Sequence, residues 1–181
     1  PLPTEAQFIQ RLQQEAPDII GFSVVTNQWP LARKLATWAR RATTAPLICG
    51  GIHTMAAAEE VLQSGGFDYI IRGEAEEALP ELIDKINRGA DLSDVRNLGF
   101  VRNGRVHLNA LRPLPDLAQL PFKDYEIFDF QNIIDAKNGW VGLTASRGCP
   151  FSCTYCFNHQ MTSIYRHDLA CSFGDLGYIR H

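Results

Sequence analysis

Three of the five cysteines in this 181-residue chain, Cys149, Cys153 and Cys156, fall in the spacing C-x3-C-x2-C, with no fourth cysteine close behind. Thiolates are the usual ligands of iron–sulfur clusters, and a 4Fe–4S cluster takes four ligands. Three leave one iron open, and an open metal position is where chemistry takes place. A structural zinc site is the competing reading. Zinc closes a tetrahedron of Cys and His, and His159 would complete C-x3-C-x2-C-x2-H. That compact run lacks the longer loop that separates the two ligand pairs of ordinary zinc knuckles. A disulfide is the weaker reading. No signal-peptide pattern opens the sequence, and Cys49 ends an apolar run. Both point to a reducing, cytoplasmic setting, where clustered cysteines bind metal or react.

A second set of candidates lies upstream. Short apolar runs at 19–25, 46–49 and 69–72 each lead into small or polar residues: Ser23-Val24-Val25-Thr26-Asn27, Gly50-Gly51-Ile52-His53-Thr54 and Gly73-Glu74-Ala75-Glu76. Between the runs lie helical patterns. Thr4-Glu5-Ala6-Gln7 reads as a capping box. Pro30 suits a first helical position. Leu31, Leu35, Trp38 and Ala39 recur on one helical face. Thr54 is expected to cap a helix carrying Met55, Ala58, Val61 and Leu62, and Leu79, Leu82, Ile83 and Ile86 form a last amphipathic face ended by Gly89. Alternating helices and continuous apolar strands predict an α/β, Rossmann-like (flavodoxin-like) parallel sheet buried on both faces.

Ligands of such sheets bind beyond the carboxyl ends of the strands. This places Ser23, Thr26, Gly50, Gly51, Gly73 and Glu74 on one edge as candidate binding residues, with the double glycine allowing a bulky partner near the backbone. Each residue alone is as well explained by a turn or a local cap; three such loops on one edge point to a ligand. A dinucleotide in the usual mode is excluded, since no G-x-G-x-x-G follows a strand. His53 reads as a local hydrogen-bonding residue. A net charge of −3 suggests no nucleic-acid surface, and no apolar run approaches the roughly 18–20 residues that span a membrane.

The cysteine run resembles the signature of the radical S-adenosylmethionine (radical AdoMet) enzymes, C-x3-C-x-aromatic-C, with Tyr155 in the aromatic slot. The resemblance implies that Cys149, Cys153 and Cys156 hold a 4Fe–4S cluster and that AdoMet chelates the open iron. Tyr155 would lie against the adenine, and Phe157 is grouped with it as a cofactor contact. Pro17 to Ser23, Gly50 to Thr54 and Asp68 to Glu76 are in turn similar to the cobalamin-binding domain found ahead of many radical AdoMet domains. There Ser23 and the Gly50-Gly51 loop would line the pocket for the nucleotide tail, and the Gly73-Glu74 loop would close its edge. The lower-ligand motif Asp-x-His-x-x-Gly is absent.

The expected organisation is a cobalamin-binding-type domain at 1–90, incomplete at its N-terminal strands, a linker with a β-hairpin at 91–135, and the start of a radical AdoMet partial barrel at 136–181. Asn103-Gly104 signals the hairpin turn. Residues 140–145 read as the first barrel strand, with the cysteine loop at its carboxyl end, where barrels place their chemistry. Cys171 has no partner spacing. The chain reads as a fragment cut at both ends, inactive alone, with no catalytic side chain named. A small-molecule substrate and an electron donor such as flavodoxin or ferredoxin are the expected partners. Two alternatives stay open: a radical AdoMet enzyme whose cobalamin-type domain is empty, and a non-catalytic zinc or iron–sulfur module.

Overall fold

The computed structural model describes residues 2–122, 124–142, 147–149, 151 and 153–169. The chain divides into two compact units, Pro1–Arg112 and Pro113–His181.

The first unit is a five-stranded sheet flanked by helices. The capping box forms as its residue types require: the Gln7 N–H donates to Thr4 Oγ1 at 3.3 Å, and the Thr4 N–H donates to Gln7 Oε1 at 2.9 Å. It starts α1 (Glu5–Glu15), which leads to β1 (Ile20–Ser23), α2 (Trp29–Ala42) and β2 (Leu47–Gly50). Two short helices follow, α3 (Ile52–Ala56) and α4 (Ala58–Gln63), then β3 (Tyr69–Ile71) and α5 (Ala78–Arg88). A hairpin, β4 (Leu98–Arg102) and β5 (Arg105–Leu108), completes the sheet in the order β1-β2-β3-β4-β5.

The first three strands pair in parallel, as their short helical crossovers require, and β3–β4 and β4–β5 pair antiparallel. The hairpin turn has positive φ at Asn103 (53°) and Gly104 (71°), the type I′ pattern. The sheet therefore runs into residues that the sequence reading placed in the linker, because β3 offers β4 an open edge.

Side chains alternate between the two faces of the sheet. Leu47, Cys49 and Ile70 join Ala32, Ala36, Ala39, Val61 and Leu62 in one apolar cluster, under α2 and α4. Ile48 and Ile71 join Ala78, Leu82, Leu98 and Phe100 in the other, under α5. Two expectations need correction. The buried stripe of α2 is Trp29, Ala32, Ala36 and Ala39, with Leu31, Leu35 and Trp38 half-buried beside it. Small alanines let the helix axis approach the sheet, while Trp38 turns to pack on Phe8 of α1 at 6.0 Å. The helix expected from Thr54 onward is broken at Ala57 (φ −144°, ψ 45°), and Thr54 sits inside α3 instead of capping it.

In the second unit, 113–122 is a connector with one 3-10 turn at Leu117–Gln119, and 126–129 form a turn before the next helix. Asp129 caps α6 (Phe130–Ala136) by accepting from the Asn132 N–H at 3.3 Å, and α7 (Asn158–Leu169) follows the cysteine loop. Of the expected barrel strand, residues 143–145 lie outside the described residues, and Trp140, Val141 and Gly142 belong to no regular element. Cys171 also lies outside them. Among the described residues no helix is long and apolar enough to cross a membrane.

Candidate functional site

Ser23 ends β1 and Gly50 ends β2, while Gly73 follows β3 by two residues, so the three predicted loops share the carboxyl edge of the parallel strands. Side chains and main-chain groups tie each loop to the next. Between the first two, the Val24 N–H donates to the Gly50 carbonyl at 2.9 Å and the His53 N–H to the Val24 carbonyl at 3.1 Å. Gly51 makes this approach possible. Its φ is 90°, and a Cβ there would stand 2.7 Å from both the nitrogen and the oxygen of Val24. The space that the double glycine opens is filled at Gly51 by the chain's own backbone. A Cβ on Gly50 would meet only carbonyl oxygens, at 3.9 and 4.0 Å.

Thr26 and His53 add a second tie across the same two loops, with Nδ1 of the ring 3.3 Å from the hydroxyl. The ring is buried and packs tilted against Trp29 at 4.8 Å, and its hydrogen bond reaches across loops where a local one was expected. Its Nε2 is buried without a hydrogen-bond partner among the described residues. An unsatisfied buried nitrogen costs about 1–3 kcal/mol, and a polar group bound at this edge would relieve it.

The next loop is joined by Thr54, which is fully buried. Its hydroxyl lies 2.8 Å from the Gly51 carbonyl and 2.7 Å from the Ile71 carbonyl at the end of β3. The last tie is Asn97, whose Nδ2 donates to the Glu74 carbonyl at 2.8 Å. Sequence reasoning assigned no role to Asn97 and the wrong one to Thr54. Both bonds join residues 17 and 23 positions apart, so no local pattern announces them.

Cys49, by contrast, is sealed in the core, where burial pushes its thiol up to about 12. It is a packing residue.

The cysteine loop is built differently. Cys153 is exposed, Cys149 and Cys156 are half-buried, and all three are free thiols. Main-chain bonds shape its end: the Cys156 N–H donates to the Cys153 carbonyl at 3.0 Å and the His159 N–H to the Cys156 carbonyl at 3.2 Å, leading into α7. The Tyr155 ring is 91% exposed and Phe157 is half-buried. Among the described residues no three His, Cys, Asp or Glu side chains are grouped so as to hold a metal. The donor set has the chemistry of an iron–sulfur tripod, and the loop does not gather it in advance.

Comparison with known proteins agrees with the fold of the first unit. Residues 2–83 match the family model described as "B12 binding domain". The chain is 27% identical over 143 residues to an uncharacterized methyltransferase of Pyrococcus horikoshii, covering 77% of this chain and 31% of that protein. It is 25% identical over 170 residues to the anaerobic magnesium-protoporphyrin IX monomethyl ester cyclase of Synechocystis, covering 91% and 34%. The chain thus spans about a third of these relatives. Among solved structures, the cobalamin-dependent S-adenosylmethionine radical enzyme OxsB superposes with a TM-score of 0.64 at 26% identity, over 84% of this chain and 22% of that one.

Proposed function

We propose that the chain belongs to the radical AdoMet enzymes that carry a B12 binding domain, and that it contributes two cofactor sites to one enzyme. The carboxyl edge of the sheet takes a corrinoid, and the cysteine loop takes a 4Fe–4S cluster with AdoMet. When bound, these cofactors supply a 5′-deoxyadenosyl radical and methyl transfer, or radical rearrangement or oxidation, at an unactivated carbon of a small-molecule substrate, with an external reductant such as flavodoxin or ferredoxin providing the electron.

The residues of the chain bind and orient. Cys149, Cys153 and Cys156 would each give a thiolate, leaving one iron for the amino and carboxylate groups of AdoMet. Tyr155, which is exposed, would lie against the adenine, and Phe157 would be a second cofactor contact. Ser23, Thr26, Gly50, Gly51, Gly73 and Glu74 would frame the nucleotide tail of the corrinoid. The observation that carries the reading is the meeting of two features in one chain: residues 2–83 match a B12 binding domain, and the C-x3-C-x2-C run follows it.

One observation favours a second reading, in which the B12-type domain holds no corrinoid: the gap at Gly51 is filled by Val24. Corrinoid absorbance of the protein purified with hydroxocobalamin separates the two. Anaerobic reconstitution with iron and sulfide tests the cluster. A 4Fe–4S electron paramagnetic resonance signal that changes on adding AdoMet supports the enzyme; one tightly held zinc with no AdoMet effect overturns it.

A further inference from the structure

Asn97 stands where three segments of the first unit meet, and all four of its hydrogen-bonding positions are used. Its N–H donates to the Ala110 carbonyl at 2.9 Å, and its carbonyl accepts from the Arg72 N–H at 2.8 Å. Its side chain bonds in both directions: Nδ2 donates to the Glu74 carbonyl at 2.8 Å and Oδ1 accepts from the Arg112 N–H at 2.6 Å. The residue is 3% exposed, and its φ of 70° is left-handed, a conformation that asparagine adopts more readily than most side chains. Gly73, at the start of the loop it holds, is also left-handed (φ 75°). The loop lies outside the helix and strand ladders, and the Asn97 side chain supplies one of its hydrogen bonds.

We infer that Asn97 is the positioning residue of the Gly73-Glu74 loop, and that it sets corrinoid affinity by holding that loop in its binding position before the ligand arrives. This rests on the proposed corrinoid site at the carboxyl edge. A loop fixed in advance adds no ordering cost on binding; a loop released from Asn97 does. The Arg112 bond serves a different end. It anchors the exit from β5, where the Arg112 side chain also pairs with Glu77 at 2.9 Å and with Glu81.

Two substitutions separate these roles in the intact protein. Asn97→Gly keeps the left-handed backbone and removes both side-chain bonds. Asn97→Asp keeps the acceptor for Arg112 and loses the bond to Glu74, with the added cost of a buried carboxylate facing that carbonyl. Two readouts are needed: amide hydrogen exchange at residues 73–76, and the dissociation constant for hydroxocobalamin from its visible absorbance. Both variants are expected to speed exchange at 73–76 and to weaken hydroxocobalamin binding about tenfold, the worth of one such bond, with exchange in β1 and β2 unchanged. If Asn97→Gly does not fold, Asn97→Asp alone carries the test. An Asp variant that matches the parent in both readouts would leave only the anchoring of Arg112 and overturn the inference. So would faster loop exchange with unaltered affinity. If the parent protein binds no hydroxocobalamin, the corrinoid site fails and takes the affinity half of the inference with it. The exchange data still decide whether Asn97 holds the loop.

Discussion

The strand edge of the first unit and the cysteine loop of the second carry the two candidate sites, and they are organised by opposite means. At the strand edge, Thr26–His53, Thr54–Ile71 and Asn97–Glu74 stitch neighbouring loops together through buried side chains. At the cysteine loop, short-range main-chain bonds shape the backbone and the thiols stand ungrouped. The first arrangement is held by the chain's own side chains. The second would suit the proposed cluster, since thiolate coordination of a metal supplies folding free energy.

The sharpest way to break this contrast is at the metal. Cys153→Ala should abolish cluster assembly, seen as loss of iron and sulfide after anaerobic reconstitution, while thermal unfolding of the first unit stays unchanged. Retention of a full cluster would remove Cys153 from the ligand set. Next in size is Gly51→Ala. It forces a Cβ against the Val24 backbone at a φ of 90°, and should cost about 3 kcal/mol in urea unfolding. A near-neutral result would mean that the first two loops are not locked together. Thr54→Val keeps the shape and removes the hydroxyl that serves the Ile71 carbonyl, for an expected loss of about 1–2 kcal/mol by the same measurement.

The smallest effect belongs to pH and lies away from both sites. The Ser93 hydroxyl, and then Arg102, hold the Asp91 carboxyl down at about 2. The folded state therefore favours the carboxylate. The stabilisation is present above the ordinary carboxylate range, near about 4, and is lost as pH falls through about 2. Asp91→Asn should flatten that part of an acid-unfolding profile; an unaltered profile would place the acid sensitivity elsewhere.

What could be read from the sequence follows the range of the forces involved. The Thr4–Gln7 capping box, the Asn103-Gly104 turn and the three parallel strands depend on neighbours within a few residues, and they were legible. The α2 stripe was legible only at Ala39, because a pattern of large apolar residues outweighs alanine, whereas close packing on the sheet also rewards Ala32 and Ala36. The work of Thr54 and Asn97 depends on carbonyls 17 and 23 residues away. No periodicity records such partners. The cap at Asp129 was visible in principle, since Asn132 lies three residues on, but α6 shows no buried face to strengthen the signal.

Hydrogen exchange across the whole chain, before and after anaerobic reconstitution with iron and sulfide, tests the central contrast most directly. The account predicts that amides of 50–54 and 73–76 are protected at the outset and unaffected by reconstitution, while those of 153–155 and 157 exchange faster and become protected once the cluster is built. Equal protection of both regions in the metal-free protein, or a cysteine loop that reconstitution leaves unchanged, would contradict it.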